Sequence, residues 1–262
     1  MDVYHLPKAL DRKTADALFS NLQQYDKWIQ SSCMGSPTPR LQQWFATPHS
    51  SHRESESESE KDMSYKFGGR RYQPEAYPEW LTTLQIHIIS LVTTFFSSLP
   101  ISREEFRPPN SVLINKYRDG KDKLQWHTDN NPEFGEKPTI ISVNVGQTRR
   151  FCIKPQGKGV ARSATKTFHL QHGDILIMAG TTQEHYVHCV PEETKPSRTF
   201  PCRYNLTFRP YTKTTLPGST RPRSRKRKRP APHKTHKVDA PRLDAPRLDA
   251  IPTTTIPPKL TL

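Results

Sequence analysis

The segment "TIISVNVGQTRRFCIKP", Thr139 to Pro155, decides how this chain folds. It contains two runs of β-branched and apolar residues with turn residues between them. Comparable runs flank it: "SVLINKY" from Ser111, "KTFHL" from Lys166, "DILIMAG" from Asp174 and "RYNLTFRP" from Arg203. Short strands at such spacing point to a sandwich, barrel or jelly roll. Ahead of them the period becomes helical. "DRKTADALFSNLQQYDKWI" carries Ala15, Leu18, Phe19 and Leu22 at helical spacing, with Thr14 as its candidate cap. From Glu79 to Phe96, Leu81, Leu84, Ile88, Leu91, Val92 and Phe95 mark a second amphipathic helix. The expected class is α+β, a β core buttressed by N-terminal helices.

Composition limits how far that core extends. The 262 residues are 32% hydrophobic and include 25 prolines, enough for one core but not for packed structure throughout. From Thr212 onward, 13 Lys and Arg stand against 3 acidic residues, so the tail carries +10 of the formal +15. "RPRSRKRKRP", Arg221 to Pro230, contains the run Arg225–Arg229, which reads as a nuclear-import signal or a nonspecific phosphate-binding arm, and the tandem "APRLDAPRLDA" follows it. Residues 212–262 are expected to be disordered. "RESESESEKD", Arg53 to Asp62, is an acidic low-complexity run and reads as a flexible loop over 51–62. The four cysteines show no CxxC pairing, which suits a reducing compartment. The first residues lack the apolar core of a signal peptide. "LQIHIISLVTTFF" is interrupted by His87, Ser90, Thr93 and Thr94, so a soluble intracellular protein is expected.

The chemistry gathers around "KLQWHTDNNPEFG", Lys123 to Gly135. If "LQWHTD" ends a strand, His127 and Asp129 lie on one face and can converge on one ion. A second histidine comes from "GDILIMAGTTQEHYVHCVP", where His185 and His188 end a β run. On a strand, a step of three puts these two on opposite faces, so only one of them meets the metal. Two imidazoles and one carboxylate form a facial triad with open positions on Fe(II), which suit a bidentate 2-oxo acid and dioxygen. The far carboxylate of 2-oxoglutarate needs a planar, permanent cation, and "RYNLTFRP" offers Arg203 and Arg209. Arg203 and Asn205 alternate with Tyr204 and Leu206, so both can point inward. Arg209 is expected in phase with Asn205 only where the strand is bulged.

The ordered set "LINKYRDG", "WHTDN", "ISVNVG", "GDILIMAG", "HYVHCVP" and "RYNLTFRP" resembles the AlkB family of Fe(II)/2-oxoglutarate dioxygenases. The resemblance covers Asn110 to Tyr211 and more weakly the region upstream. It implies a double-stranded β-helix (jelly-roll) core at 101–211, preceded over 1–100 by helices and a nucleotide-recognition lid. By it, His127, Asp129 and His188 would bind iron. Asn115, Tyr117, Arg203, Asn205 and Arg209 would bind 2-oxoglutarate, with Arg203 at the distal carboxylate and Arg209 nearer the chelating end. The step "HCVP" favours His188 over His185 as ligand. His185 would then be a structural or supporting hydrogen-bonder, and His169 and His172 would serve turn geometry.

The implied activity is oxidative demethylation of N-alkylated bases in DNA or RNA, of the N1-methyladenine and N3-methylcytosine type. Such a base must be flipped out or supplied single-stranded, which demands aromatic faces and backbone-holding cations. In the lid, "PRLQQWFATP" and "SYKFGGRRY" offer Arg40, Trp44, Phe45, Tyr65, Phe67, Arg70 and Arg71. Arg40, Tyr65 and Phe67 match the family in character, although Tyr65 and Phe67 can equally pack a hairpin on the core. Asn131 stands where well-studied members carry an acidic, base-recognising residue; its neutral amide can still hydrogen-bond the substrate, but base preference does not carry over. The "ESESESE" run should repel phosphate unless it swings clear or responds to phosphorylation. A monomer in the nucleus is expected, with the cytoplasm open. The rival readings are a dioxygenase acting on a protein, lipid or small molecule, and a nucleic-acid-binding module with a vestigial metal site.

Overall fold

The structure is a computed structural model of the chain. It describes residues 1–33, 35–47, 63–67, 70–98, 106–157, 159–194 and 200–212; the side chains of Cys33, Tyr65 and Arg162 are not among them. The acidic loop and all but the first residue of the basic tail lie outside the described residues.

Helix α1 spans Arg12–Gln24 and buries Ala15, Leu18, Phe19 and Leu22. Its cap is Asp11 rather than Thr14. The Asp11 carboxylate accepts the Thr14 backbone N–H at 2.9 Å and the Thr14 hydroxyl at 2.8 Å, meeting a donor that the first turn leaves open. Helix α2, Glu79–Ser97, buries Leu81, Leu84, Ile88 and Val92. By length and composition α2 could cross a membrane, but those four side chains share one hydrophobic cluster with the β-sheet.

The first strands are β1 (Asp2–Leu6), β2 (Ser32–Cys33), β3 (Ser36–Pro37), β4 (Leu41–Ala46), β5 (Tyr65–Phe67) and β6 (Arg70–Tyr72). The core adds β7 (Ser111–Tyr117), β8 (Leu124–His127), β9 (Ile140–Gly146), β10 (Arg149–Pro155) and β11 (Lys166–Leu170). It closes with β12 (Ile175–Ala179), β13 (Tyr186–Val190) and β14 (Arg203–Arg209). Six strands form one sheet in the order β1-β12-β9-β14-β7-β4, and four form a second, β11-β10-β13-β8. Pairs β2–β3 and β5–β6 stand apart as two-stranded hairpins. The two runs of the segment quoted first, β9 and β10, belong to different sheets. This is how a jelly roll uses consecutive strands.

The outer strands of the larger sheet, β1 and β4, both come from the first 46 residues. The division expected at residue 100 therefore runs through a single sheet. Alternation along the strands separates two environments. On one side Val143, Val145, Tyr204, Leu206 and Phe208 pack with the helices. On the other, Tyr117, Ile140, Leu176 and Met178 meet Phe151, Ile153, Leu170 and Val190 of the second sheet. The polar residues of β14 face this second, inter-sheet side, which is where a site can form.

Candidate functional site

His127 ends β8, and its cross-strand partner on β13 is His188. That register alone places two imidazoles side by side, with ring centroids 4.2 Å apart. Asp129 follows two residues later. Its Oδ1 lies 4.0 Å from His127 Nε2, and its Oδ2 lies 3.9 Å from His188 Nε2. All three ligand atoms fall within 4.8 Å of one another, and no other such group exists among the described residues. Metal–ligand bonds of about 2.0–2.2 Å leave room for one ion between them.

Protonation states agree with that use. His127 Nδ1 lies 2.8 Å from the Gln125 carbonyl, which only accepts, so Nδ1 carries the proton and Nε2 keeps its lone pair. Burial lowers the His127 pKa, although 29% of its side chain reaches solvent. Burial, with help from His127, pushes His188 down to about 3. The His188 ring stacks on Phe151 at 5.2 Å. For Asp129 burial works in the raising direction, but Arg209 first and then the histidines outweigh it and hold the carboxyl at about 2. Two neutral imidazoles beside a carboxylate are the ligand-competent forms.

Behind the triad lies β14. Its ladders to β7 and β9 run without a register shift, so Arg203, Asn205, Thr207 and Arg209 share one face. Arg209 needs no bulge, because a step of four preserves the phase. Arg203 is 1% exposed; its Nη2 donates to Asn144 Oδ1, while Nε and Nη1 have no partner. Its guanidinium sits 4.9 Å from the Tyr117 ring centre, and the Tyr117 hydroxyl is likewise without a hydrogen-bond partner. Burial, with Arg149 adding to it, pushes Arg203 down to about 10. Arg209 Nη2 donates to Asp129 Oδ1 at 2.9 Å, leaving its own Nε and Nη1 without partners. Buried donors of this kind are rare unless a ligand completes them. Planar guanidinium donors match a dicarboxylate acid.

The two asparagines are already engaged. Asn205 Nδ2 donates to Ser142 Oγ at 2.7 Å and its Oδ1 accepts from Thr207, while Asn115 Oδ1 accepts from Arg40 Nε at 2.7 Å. Arg40, expected at the base, is 4% exposed and lies 5.6 Å over the Phe67 ring. Trp44 and Phe45 are buried too, with Trp44 Nε1 donating to the Met63 carbonyl. Phe67 is half-buried on β5 and Arg70 exposed on β6; the Tyr65 side chain lies outside the described residues. Asn131 is half-buried, and its carbonyl accepts the Phe134 N–H to start a 3-10 turn. His185 does not sit on a strand. It ends a single turn, α3 (Thr182–His185), with its side chain 66% exposed and away from the triad. His172 does serve a turn, its Nδ1 accepting the Gly146 N–H at 2.9 Å.

Two contributors were not anticipated. Asn144 anchors Arg203, and the asparagine interrupting an Ile/Val strand was its only sequence signal. Gln183, on α3, accepts the Asp129 backbone N–H at 2.9 Å and left no signal at all.

Comparison with known proteins agrees with this geometry. The chain matches the model of the 2OG-Fe(II) oxygenase superfamily over residues 2–209. It is 30% identical over 212 residues to alpha-ketoglutarate-dependent dioxygenase alkB homolog 3 of Rattus norvegicus, covering 78% of this chain and 62% of that one. It is 29% identical over 199 residues to DNA oxidative demethylase ALKBH2 of Homo sapiens, covering 74% and 68%. The chain thus spans less than two thirds of the alkB homolog 3 relative. Among solved structures, OsALKBH1 superposes with a TM-score of 0.55 at 18% identity, over 79% of this chain and 97% of that one, a likeness of fold.

Proposed function

The chain belongs to the 2OG-Fe(II) oxygenase superfamily, and from that premise we propose that it oxidatively demethylates N-alkylated bases of nucleic acid. N1-methyladenine and N3-methylcytosine are the lesion types proposed. One observation carries the reading: three side chains in ligand form share a centre, and two buried arginines on one face of β14, one of them bonded to Asp129, hold unpartnered donors. His127, Asp129 and His188 would hold Fe(II). Arg203, Arg209 and the Tyr117 hydroxyl would bind 2-oxoglutarate, with Asn115 and Asn205 holding the neighbouring side chains in place. Bound iron, with 2-oxoglutarate and dioxygen, supplies the oxidation that hydroxylates the N-methyl carbon as the co-substrate becomes succinate and carbon dioxide. The product then loses formaldehyde to restore the base. The protein's own part is to keep the imidazoles neutral and the carboxylate charged, and to fix the co-substrate with a rigid guanidinium.

Nucleic acid as substrate rests on the named activity of the ALKBH2 relative and on the β5–β6 hairpin, where Phe67 and the exposed Arg70 stand near the buried Arg40. The decisive experiment is anaerobic loading with Fe(II) and 2-oxoglutarate, then air in the presence of methylated oligonucleotides. Formaldehyde release and loss of the methyl mass are followed. Succinate formed without any oligonucleotide being demethylated would move the substrate to the protein or small-molecule class. In the same assay Phe67→Ala should reduce demethylation by about 10- to 100-fold, since base stacking contributes about 1–3 kcal/mol. Uncoupled succinate formation should fall far less; equal loss of both would remove base stacking from the account.

A nuclear location and a monomeric state complete the proposal. The run Arg225–Arg229 supports the first by its composition. Deleting residues 221–230 should displace the protein from the nucleus, and an unchanged distribution would end that assignment.

A further inference from the structure

We infer that Gln183 is a positioning residue for the metal ligand Asp129, acting through its main chain. The inference rests on the metal-site reading above. Asp129 lies two residues beyond the end of β8, whose pairing with β13 ends at the His127–His188 pair. The backbone at Asp129 therefore has no ladder to hold it. Its N–H donates instead to Gln183 Oε1 at 2.9 Å, in a setting where Gln183 is 1% exposed. On the far side of the same amide, Nε2 lies 3.4 Å from Met178 Sδ, so both ends of the side chain are engaged.

The turn that carries Gln183 is itself tied down. Thr182 Oγ1 accepts the Asp2 N–H at 3.2 Å and donates to the Asp2 carbonyl at 3.4 Å. β1, α3 and Asp129 thus form one hydrogen-bonded chain. Arg209 grips the Asp129 carboxylate from one direction, and Gln183 grips its backbone from another. Together they hold the ligand by both its side chain and its main chain. Groups that orient a metal ligand in this way change metal affinity by about 10- to 100-fold when removed.

The test uses the full chain and Mn(II) as probe, titrated calorimetrically into the metal-free protein. Gln183→Leu preserves volume and removes the acceptor; Gln183→Asn keeps the amide but shortens its reach. Both should bind Mn(II) at least about tenfold more weakly. The 2-oxoglutarate Kd at saturating Mn(II) should stay at the parental value. Met178→Leu, which leaves the Gln183–Asp129 bond in place, should bind Mn(II) as the parent does. Parental Mn(II) affinity in both Gln183 variants would overturn the inference while the triad stands. So would an equal weakening of Mn(II) and 2-oxoglutarate, which marks general loosening. If the parent itself binds no Mn(II), the metal-site reading fails and the inference goes with it.

Discussion

Asp129→Ala should abolish both metal binding and turnover, and should also destabilise the metal-free protein. The first effect follows from removing the only anionic donor of the triad. The second follows from what the carboxylate does without metal. Among the described residues it is the sole charged partner of Arg209, which is 3% exposed and keeps two further donors without partners. Breaking a buried pair from one side costs about 3–5 kcal/mol, because a charge is left uncompensated. For a domain of this size that is a fall of about 10 °C in Tm. Asp129→Asn separates the two effects: the amide oxygen can still accept from Arg209, so the Tm loss shrinks, while metal affinity still collapses. Calorimetry with Mn(II) and a melting curve on each variant decide the matter. Tight Mn(II) binding by Asp129→Ala would disqualify the triad.

How much of this was legible in advance depends on whether the signal was local. Strand identity was local: β-branched runs sit at β7, β9, β10, β11, β12 and β14. The H-x-D step was legible because the period of a strand turns spacing into a shared face. Edge strands were not. β1 has only five residues, four of them half-buried, and it forms by pairing with β12 some 170 residues away. β4 lies in "PRLQQWFATP", where apolar and polar residues do not alternate, and its partner β7 lies about 70 residues on.

The position of His185 was misread because a four-residue helix is too short to show a period, and the β run was carried through it. The burial of Arg40 is not legible locally, since nothing nearby in the sequence hints at an acceptor 75 positions on. Asp11 and Thr14 show a subtler ambiguity. Both are capping residues and they interact with each other, so residue type alone does not say which one starts the helix.

Arg203→Met should have the opposite sign on stability from Asp129→Ala, which makes it the sharper test of the co-substrate site. Arg203 and Arg149 are equally buried, yet their surroundings differ. Arg149 gives its terminal nitrogens to the carbonyls of Asp119, Asp122 and Pro191 at 2.7–2.9 Å, and so clamps two loops together. Arg203 has one acceptor, Asn144, and a ring face. Among the described residues no carboxylate balances it, and burial already weakens its hold on the proton. A buried cation kept in that state makes the empty protein less stable than an apolar side chain of similar length would. Asn144 Oδ1 would not be orphaned, because Asn205 Nδ2 lies 3.3 Å from it. The melting temperature of the metal-free Arg203→Met protein should therefore equal or exceed the parent's. Its 2-oxoglutarate affinity should fall by about 10²–10³-fold, the loss of a buried charge-assisted contact. Mn(II) affinity should not change. Arg203→Lys should not rescue the loss, since a point charge on a flexible stem cannot reproduce the guanidinium fork. A variant that melts lower than the parent yet binds 2-oxoglutarate normally would make Arg203 a structural cation, and the co-substrate would have to bind elsewhere.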